Sequence, residues 1–274
     1  MPRASVLACP ASLKGVLSAR EAAAALARGA GDCDQLPLAD GGEGTADVVP
    51  GVVEAASVIP FDATRLDPFT SSRPFGELLA SLRVDRLVVG LGGTANMDAG
   101  AGLLEVLEAL PPTTVLCDVA TTLYDAPRLY GPQKGATPEQ VVELETRFCA
   151  DERLAPFAHL PGSGAAGGLG AALASLGAEL VPGAAAVLDL VGFDPTPYTL
   201  VVTGEGRVDA TTVEGKVPFE VARRCRAAGV RCVVFGGVVT QQVPGAETVA
   251  LSGDPSLAVA DLEELGMRLL DAAG

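Results

Sequence analysis

The three lysines of this chain all lie beside glycine. Of its 19 basic residues only Lys14, Lys134 and Lys216 are lysine, and each of them adjoins a glycine. Lysine is a flexible point charge, and a glycine turn leaves backbone N–H groups open beside it, which suits the binding of phosphate. The alternative is that a compositional preference for arginine confined lysine to loops, which are rich in glycine in any case.

Carboxylates share the same kind of loop. Asp40 and Glu43 lie among three glycines, and Glu205 and Asp209 flank Arg207 in another glycine-rich stretch. Phosphoryl transfer requires carboxylates to hold Mg²⁺, positive charge for the phosphate oxygens and a group that orients the attacking hydroxyl. These residues therefore predict phosphoryl transfer. The alternative for each acid is that it caps a helix or solvates a turn.

Two further glycine-rich segments are predicted to bind anions through backbone N–H groups. Residues 90–102 run from a predicted strand into a predicted helix, whose N-terminus would attract an anion. Residues 162–167 match the G-x-G-x-x-G pattern of dinucleotide-binding proteins and also open a helix. The residues before them contain two prolines and make a poor strand, so a dinucleotide-dependent enzyme is kept only as an alternative. Close packing of the helix would also explain these glycines.

The overall charge restricts the class of partner. The chain has 274 residues and a formal net charge of −15. Nucleic acid and anionic membranes both attract a basic surface, so we expect neither as a partner. The six cysteines contain no Cys-x-x-Cys pair, which predicts buried thiols in a reducing cytosol. We find no signal region and no apolar run near about 18 residues, so we expect a cytoplasmic protein.

The order of elements predicts an α/β fold. Short apolar strands alternate with glycine-rich turns and amphipathic helices, as is typical of parallel sheets covered by helices. Capping boxes at Ser18 and Thr137 predict the starts of two helices. The predicted strands cover residues 5–9, 86–90, 114–117, 199–202 and 232–235. The predicted helices cover residues 19–28, 98–110, 138–149, 165–176, 218–228 and 256–273. In such sheets, ligands bind beyond the carboxyl ends of the strands.

Six segments, taken in order, resemble the bacterial-type glycerate kinases, which transfer phosphate from ATP to glycerate. The segments are Ser-Leu-Lys-Gly-Val-Leu-Ser-Ala (12–19), Pro-Leu-Ala-Asp-Gly-Gly-Glu-Gly-Thr (37–45), Gly-Gly-Thr-Ala-Asn-Met-Asp-Ala-Gly-Ala-Gly (92–102), Gly-Pro-Gln-Lys-Gly-Ala (131–136), Pro-Gly-Ser-Gly-Ala-Ala-Gly-Gly-Leu-Gly-Ala-Ala-Leu (161–173) and Thr-Gly-Glu-Gly-Arg-Val-Asp (203–209) with Gly-Lys-Val-Pro (215–218). The resemblance implies an α/β protein of two domains. One is a Rossmann-like domain with a parallel sheet, built from residues 1–50 and 190–274. The other is an inserted α/β domain of residues 51–189, with the active site in the cleft.

The resemblance also implies the chemistry. ATP, with Mg²⁺ as cofactor, would phosphorylate a small hydroxy acid, D-glycerate, to give 2-phosphoglycerate. A homodimer is left open. On this hypothesis the catalytic residues are Lys14, Asp40, Asp209 and Lys216. The substrate-binding residues are Ser12, Glu43, Thr94, Asp98 and Arg207. The phosphate-binding residues are Gly92, Gly93, Lys134, Gly162, Ser163 and Gly164, and the metal ligands are Asp40, Glu43 and Glu205.

Several positions differ from the family's pattern. Ala11 stands where the family normally has Asp, and Met97 stands where it normally has Asn. Ala120-Thr121-Thr122 replaces the usual Asp-Asn-Pro. The stretches 45–71 and 107–114 are shorter than the resemblance leads us to expect. We therefore keep a second hypothesis, a non-catalytic relative that binds a nucleotide or an acidic metabolite.

Overall fold

The protein divides along its chain into two compact units. The structure is a computed structural model and describes residues 5–271. Unit 1 consists of Met1–Asp40 and Val187–Gly274, and unit 2 consists of Gly41–Ala186. Each unit contains its own parallel sheet and its own hydrophobic core.

Strands and helices alternate along most of the chain. The strands are β1 (Val6–Ala8), β2 (Cys33–Gln35), β3 (Val52–Glu54), β4 (Leu87–Gly90), β5 (Thr113–Cys117), β6 (Glu179–Pro182), β7 (Leu200–Val208), β8 (Arg231–Val239) and β9 (Glu247–Ala250). The helices are α1 (Ala19–Ala30), α2 (Thr45–Val48), α3 (Arg73–Ser81), α4 (Ala101–Leu104), α5 (Ala126–Tyr130), α6 (Pro138–Ala150), α7 (Ala165–Ser175), α8 (Gly183–Leu190), α9 (Val217–Ala228) and α10 (Ala258–Asp271). The α/β class expected from the sequence is confirmed.

Unit 1 is built on a five-stranded sheet in the order β2-β1-β7-β8-β9, with every neighbouring pair parallel. Val6, Val202 and Phe235 are buried on this sheet and pack with apolar residues of α1 and α10. Because all five strands run the same way, their carboxyl ends share one edge. The register pairs Ala8 with Val202, so the loop after β1 begins beside the middle of the longer strand β7.

Unit 2 has a four-stranded sheet in the order β3-β4-β5-β6, again parallel throughout. Its core combines Val89 and Val115 of the central strands with Phe75 of α3 and Leu103 of α4, all of them fully buried. Burying a large apolar side chain of this kind stabilises a fold by about 1.5–3 kcal/mol. The loops after β4 and β5 leave the sheet at the same edge.

Both predicted capping boxes are confirmed. The Ser18 hydroxyl accepts a hydrogen bond from the Glu21 N–H, and the Glu21 carboxylate accepts one from the Ser18 N–H. Thr137 and Gln140 make the same reciprocal pair at the start of α6. These caps form because they involve only neighbours in sequence, and each satisfies two N–H groups that a helix start leaves unpaired.

The predicted helix over residues 98–110 is wrong. Only Ala101–Leu104 is helical there. The Asp98 carboxylate accepts hydrogen bonds from the N–H groups of Gly100 and Gly102, and Gly100 has a left-handed φ of 74°. Hydrogen bonds from a short polar side chain to nearby backbone compete with a helix, and here they replace its first turn.

The G-x-G-x-x-G segment does not follow a strand. Residues 151–164 contain turns and the short 3-10 helix Ala155–Phe157, which rules out the strand-turn-helix geometry that a dinucleotide fold requires. Ala166, Gly167 and Gly168 also have left-handed backbone angles, so the predicted helix over 165–176 is regular only after them. The dinucleotide-dependent alternative is therefore wrong.

The last helix also differs in its bounds from the prediction. A 3-10 turn, Pro255–Leu257, precedes α10, and the predicted end at residue 273 lies outside the described residues. Among residues 5–271, no helix has the length and apolar character needed to cross a membrane.

Candidate functional site

The predicted site residues fall into two groups, one in each unit. Unit 1 contains Ser12, Lys14, Asp40, Glu205, Arg207, Asp209 and Lys216. Unit 2 contains Glu43, Gly92, Gly93, Thr94, Asp98, Lys134, Gly162, Ser163 and Gly164. The geometry within each unit is given in turn.

In unit 1, the loop after β1 lies directly against β7. The Ala11 N–H donates to the Gly204 carbonyl at 2.9 Å, and the Thr203 hydroxyl donates to the Cys9 carbonyl at 2.8 Å. A Cβ at Gly206 would lie 3.5 Å from the Cα of Leu13, so the lysine loop passes over this glycine. The sheet thus holds the lysine loop beside the carboxyl half of β7.

Lys14 lies at the tip of that loop. Leu13 is buried and pairs with Leu17 in an isolated antiparallel bridge, which closes a tight turn between them. Gly15 has a φ of +75°, a conformation that favours glycine. The Lys14 side chain is exposed and Ser12 is half-buried. A buried anchor therefore positions a solvent-facing cation at the end of β1.

The carboxylates at the end of β7 are oriented by threonines. The buried Thr212 hydroxyl donates to Glu205 Oε1 at 2.6 Å and accepts from the Asp209 N–H at 3.1 Å. Asp209 Oδ1 in turn accepts from the N–H and hydroxyl of Thr211, at 2.9 and 2.7 Å. Glu205 is half-buried and Arg207 is exposed. One oxygen of Glu205 is thereby fixed in direction.

The electrostatics connect these side chains with Asp40 and Lys216. Burial raises the pKa of Glu205 above its ordinary value, the Thr212 hydrogen bond and the charge of Lys216 lower it, and the charges of Asp40 and Asp209 raise it further. The pKa of Asp209 lies below its ordinary value, chiefly because Thr211 donates to its carboxylate. The edge of the sheet therefore concentrates negative charge around Glu205, with one lysine facing it.

The carboxylates of unit 1 suit magnesium in combination with phosphate. Within residues 5–271, no group of three or more His, Cys, Asp or Glu side chains is arranged to hold a metal ion. Mg²⁺ is commonly held by one or two carboxylates together with substrate phosphates. Asp40 and Glu205 offer oxygen donors of that kind, whereas Glu43 belongs to unit 2 and is exposed.

Unit 2 contains a buried polar cluster, which we define as Thr94, Asn96, Asp98, Asp118 and Lys134. The first three follow β4, and Asp118 follows β5. Lys134 is only 6% exposed, and its Nζ donates to the Asn96 carbonyl at 2.8 Å. Desolvation lowers the pKa of Lys134 from 10.5 to about 8, although the charges of Asp118 and Asp98 act to raise it. A lysine this deeply buried marks a candidate site, since perturbed pKa values concentrate at functional positions.

Asp98 organises the loop that carries this cluster. Its Oδ2 accepts from the N–H and hydroxyl of Ser72, at 2.7 and 2.8 Å, and from the Gly102 N–H at 3.1 Å. Its Oδ1 accepts from the Gly100 N–H at 3.1 Å and from Asn96 Nδ2 at 3.3 Å. These bonds use the acceptor positions of the carboxylate. They give Asp98 a positioning role in the loop, beside the substrate-binding role predicted for it.

We expect Asp98→Asn to destabilise the protein by about 2–3 kcal/mol, because the amide nitrogen would face N–H donors that now bond a carboxylate oxygen. The midpoint of urea unfolding measures this loss. Asp62→Asn is the matched control, since Asp62 makes the same kind of bonds to the N–H and hydroxyl of Thr64 in an exposed loop. An equal loss in both variants would contradict the positioning role.

Gly92 and Gly93 allow two loops of unit 2 to approach each other. A Cβ at Gly92 would lie 2.4 Å from the Gly42 Cα and 2.7 Å from Asp118 Oδ2. Gly93 has a φ of +73°, and a Cβ there would lie 3.1 Å from the Cβ of Glu43. The Gly92 N–H points at the Gly41 carbonyl at 3.5 Å. Close approach therefore explains these glycines, and their predicted phosphate contacts stay a prediction.

The glycines at 162–164 also serve packing. A Cβ at Gly164 would lie 2.3 Å from the Thr122 carbonyl oxygen, and one at Gly162 would lie 2.6 Å from Cys117 Sγ. The Ser163 hydroxyl donates to the Ala158 carbonyl at 2.8 Å and accepts from the Leu123 N–H at 2.8 Å. The N–H groups of Ser163 and Gly164 donate to carbonyl groups within the unit. These donors are thus already used, which favours the packing explanation over an anion site.

Two residues of the polar cluster, Asn96 and Asp118, are absent from the predicted site. Asn96 is fully buried. Asp118 lies against Gly92, and its charge acts to raise the pKa of Lys134. A signal existed for Asp118, because it directly follows an apolar strand at the edge where the Gly92 loop also ends. Asn96 lies within the segment 92–102 that resembles the family, but its residue type alone does not distinguish it from a solvated loop residue.

The fold and these sites define a class: a parallel α/β protein with charged, glycine-rich loops at the carboxyl ends of its strands. The glycerate kinase family model matches residues 6–64 and 109–253 of this chain. The chain therefore belongs to the glycerate kinase family. Residues 65–108, which include the Thr94 loop, lie outside the matched ranges.

Named relatives agree with this assignment. The chain is 29% identical to glycerate 2-kinase of Escherichia coli K12 over 87% of this chain and 86% of that protein. It is 30% identical to glycerate kinase of Bacillus subtilis 168 over 86% and 85% of the two chains. A crystal structure of a protein provisionally named glycerate kinase 2, from Salmonella typhimurium LT2, is 27% identical and superposes with a TM-score of 0.79 over 99% of this chain and 98% of that one.

Proposed function

We propose that this protein catalyses the ATP-dependent phosphorylation of a small hydroxy acid, and that the acceptor is D-glycerate with 2-phosphoglycerate as product. The observation that carries the proposal is the group of charged side chains at the carboxyl edge of the unit 1 sheet. There, a loop lysine lies at the end of β1 while Glu205 and Lys216 interact at the end of β7. Family membership supplies the reaction class.

In this proposal, the residues of unit 1 bind the nucleotide phosphates. Lys14, Lys216 and Arg207 supply positive charge to the phosphate oxygens, which is the main requirement of phosphoryl transfer. Asp40 and Glu205 would hold Mg²⁺, which would neutralise charge on the phosphate groups. The Thr212 hydrogen bond keeps the Glu205 carboxylate in one orientation.

The residues of unit 2 bind the acceptor in this proposal. Thr94 Oγ1 is a buried atom without a hydrogen-bond partner and Lys134 is a buried cation, which favours both residues as ligand contacts. Met97, at the position where the resemblance leads us to expect Asn, is 1% exposed and belongs to the hydrophobic core. The difference from the family's Asn at this position therefore concerns a side chain that packs into the hydrophobic core.

The test is a product assay with purified protein, ATP, Mg²⁺ and a panel of small hydroxy acids led by D-glycerate. We expect ADP and 2-phosphoglycerate in equal amounts, identified by phosphorus NMR, and no product when Mg²⁺ is chelated. Product from another acid would keep the mechanism and change the acceptor. Binding of ATP or D-glycerate by calorimetry, with neither ADP nor product from folded protein, would favour the non-catalytic hypothesis instead.

Other parts of the proposal rest on the sequence alone. They are the cytoplasmic location, a homodimer, and the division into a domain of residues 1–50 with 190–274 and an inserted domain of residues 51–189. Size-exclusion chromatography with light scattering tests the dimer, and a mass of one chain, 27.6 kDa, would contradict it.

A further inference from the structure

Two buried oxygen atoms in the polar cluster have no hydrogen-bond partner. Within the described part of the chain, Thr94 Oγ1 and Asn96 Oδ1 are the buried side-chain nitrogen or oxygen atoms left in this state. Thr94 is 4% exposed and Asn96 is 0% exposed. Buried polar groups are nearly always paired, because leaving one unpaired costs its lost hydration. Both lie on the loop that follows β4.

The direction of the Asn96 amide is fixed by its other end. Asn96 Nδ2 donates to the Ala166 carbonyl at 2.9 Å and to Asp98 Oδ1 at 3.3 Å. Exchanging the nitrogen and oxygen would point the amide oxygen at two acceptors, so the unpaired atom is the oxygen. Ala99 and Ala166 hold left-handed φ angles of 54° and 49° where these segments cross, a conformation that costs a non-glycine residue energy. The surrounding structure therefore maintains this arrangement against strain.

The chemistry of the cluster selects the group that would complete it. Asn96 Oδ1 can only accept a hydrogen bond, whereas the Thr94 hydroxyl can donate one or accept one. Lys134 Nζ donates a hydrogen bond to the Asn96 carbonyl at 2.8 Å, and the negative charges of Asp118 and Asp98 act to raise the pKa of this lysine. With one cation against two carboxylates, a polyphosphate would be repelled. A neutral hydroxyl group, which both donates and accepts, meets the requirement.

We propose that Thr94, with Asn96, binds the acceptor hydroxyl that is not phosphorylated, and so selects dihydroxy acids over monohydroxy acids. This inference rests on the proposed function and assigns the specificity of its acceptor site. The hydroxyl donates to Asn96 Oδ1 and exchanges a hydrogen bond with Thr94 Oγ1. Because both atoms are closed to solvent in the free protein, the acceptor reaches them when the surrounding loops open, as active-site loops do.

The test compares Thr94→Val with Thr94→Ser. Valine keeps the shape of threonine and removes the hydroxyl, whereas serine keeps the hydroxyl. D-lactate is the matched ligand, because it carries a methyl group where D-glycerate has its hydroxymethyl group. We expect Thr94→Val to lower kcat/KM for D-glycerate by about 100-fold and to change the inhibition constant of D-lactate by less than about threefold. Thr94→Ser should stay within about tenfold of wild type.

A purely structural Thr94 predicts a different result. Because its hydroxyl has no partner, removing it would then leave the D-glycerate kinetics unchanged and raise the urea midpoint. That outcome would overturn the inference. Calorimetric binding of D-glycerate without ATP separates this failure from failure of the proposed function. If wild type binds D-glycerate but does not phosphorylate it, weaker binding by Thr94→Val still supports the inference, and equal binding contradicts it.

Discussion

Replacing Lys134 by methionine is expected to give a protein that is more stable at pH 7 and at least about 100-fold less active. The Lys134 ammonium is 6% exposed, and its burial lowers its pKa from 10.5 to about 8. Methionine has a similar length and no charge, so it removes the cost of burying a cation. The activity falls because a preorganised positive charge in the acceptor site is lost.

The sign of this effect follows from proton binding. Between pH 8 and 10.5 the unfolded chain holds a proton on this lysine that the folded chain has lost, so the contribution of Lys134 to stability rises with pH across that window. Below pH 8 the buried ammonium costs about 3 kcal/mol. Methionine also leaves the Asn96 carbonyl without its 2.8 Å bond, at a cost of about 1–3 kcal/mol. We therefore expect a net gain of about 1 kcal/mol at pH 7.

Urea unfolding of wild type and Lys134→Met at several pH values measures both effects. The stability advantage of the variant over wild type should disappear as the pH rises from 8 to 10.5, because this comparison isolates the contribution of Lys134. Lys14→Met is the matched control, because Lys14 is exposed, and its unfolding midpoint should follow that of wild type at every pH. A Lys134→Met protein that is less stable than wild type at pH 7, by a difference that does not change with pH, would show that the ammonium stabilises the fold.

Lys14→Ala is expected to lower kcat by about 10³-fold and to leave the urea midpoint unchanged. Lys14 is exposed at the tip of a turn whose shape is maintained by the Leu13–Leu17 bridge and by Gly15. The side chain can therefore be removed without disturbing packing. A positive charge beside the transferring phosphate, in contrast, stabilises the transition state by several kcal/mol.

Steady-state kinetics and urea unfolding of the same preparation check this prediction. Arg65→Ala, at an exposed position of unit 2, is the control for a general loss of positive charge, and we expect its kcat to equal that of wild type. Lys14→Arg keeps the charge in a different shape and should recover part of the activity. Parallel losses of activity and stability in Lys14→Ala would assign the lysine a structural role.

Local sequence signals predicted those elements that depend on neighbours in the chain. The capping boxes at Ser18 and Thr137 need only residues three positions apart, and both helices begin where expected. Central strands were also recognised, because burial on both faces gives β4, β5, β7 and β8 continuous apolar sequences. Four strands were missed, and all are at the edges of their sheets: β2, β3, β6 and β9. Such strands are short and partly exposed, so they lack the apolar run that identifies a central strand.

Long-range contacts decided the remaining features. Asp98 was predicted to begin a helix. Its carboxylate instead accepts hydrogen bonds from Ser72, which lies 26 residues away in the sequence, so local sequence patterns do not reveal them. The glycines at 162–164 match an anion-binding pattern, but the atoms that require them, such as the Thr122 carbonyl, are distant in sequence. A glycine needed for close packing and a glycine needed for an open N–H group are identical in sequence.

The sequence by itself determined the fold class, the family and the loops that carry charge, because strand and helix periodicity and local motifs are written in neighbouring residues. Only the tertiary structure decided which of those residues are buried. Lys134 and Lys14 lie in similar glycine turns, yet one is 6% exposed and the other faces solvent. That difference arises from segments far apart in the chain, among them the Asn96 carbonyl that bonds Lys134, and burial is what changes the pKa and leaves Thr94 without a partner.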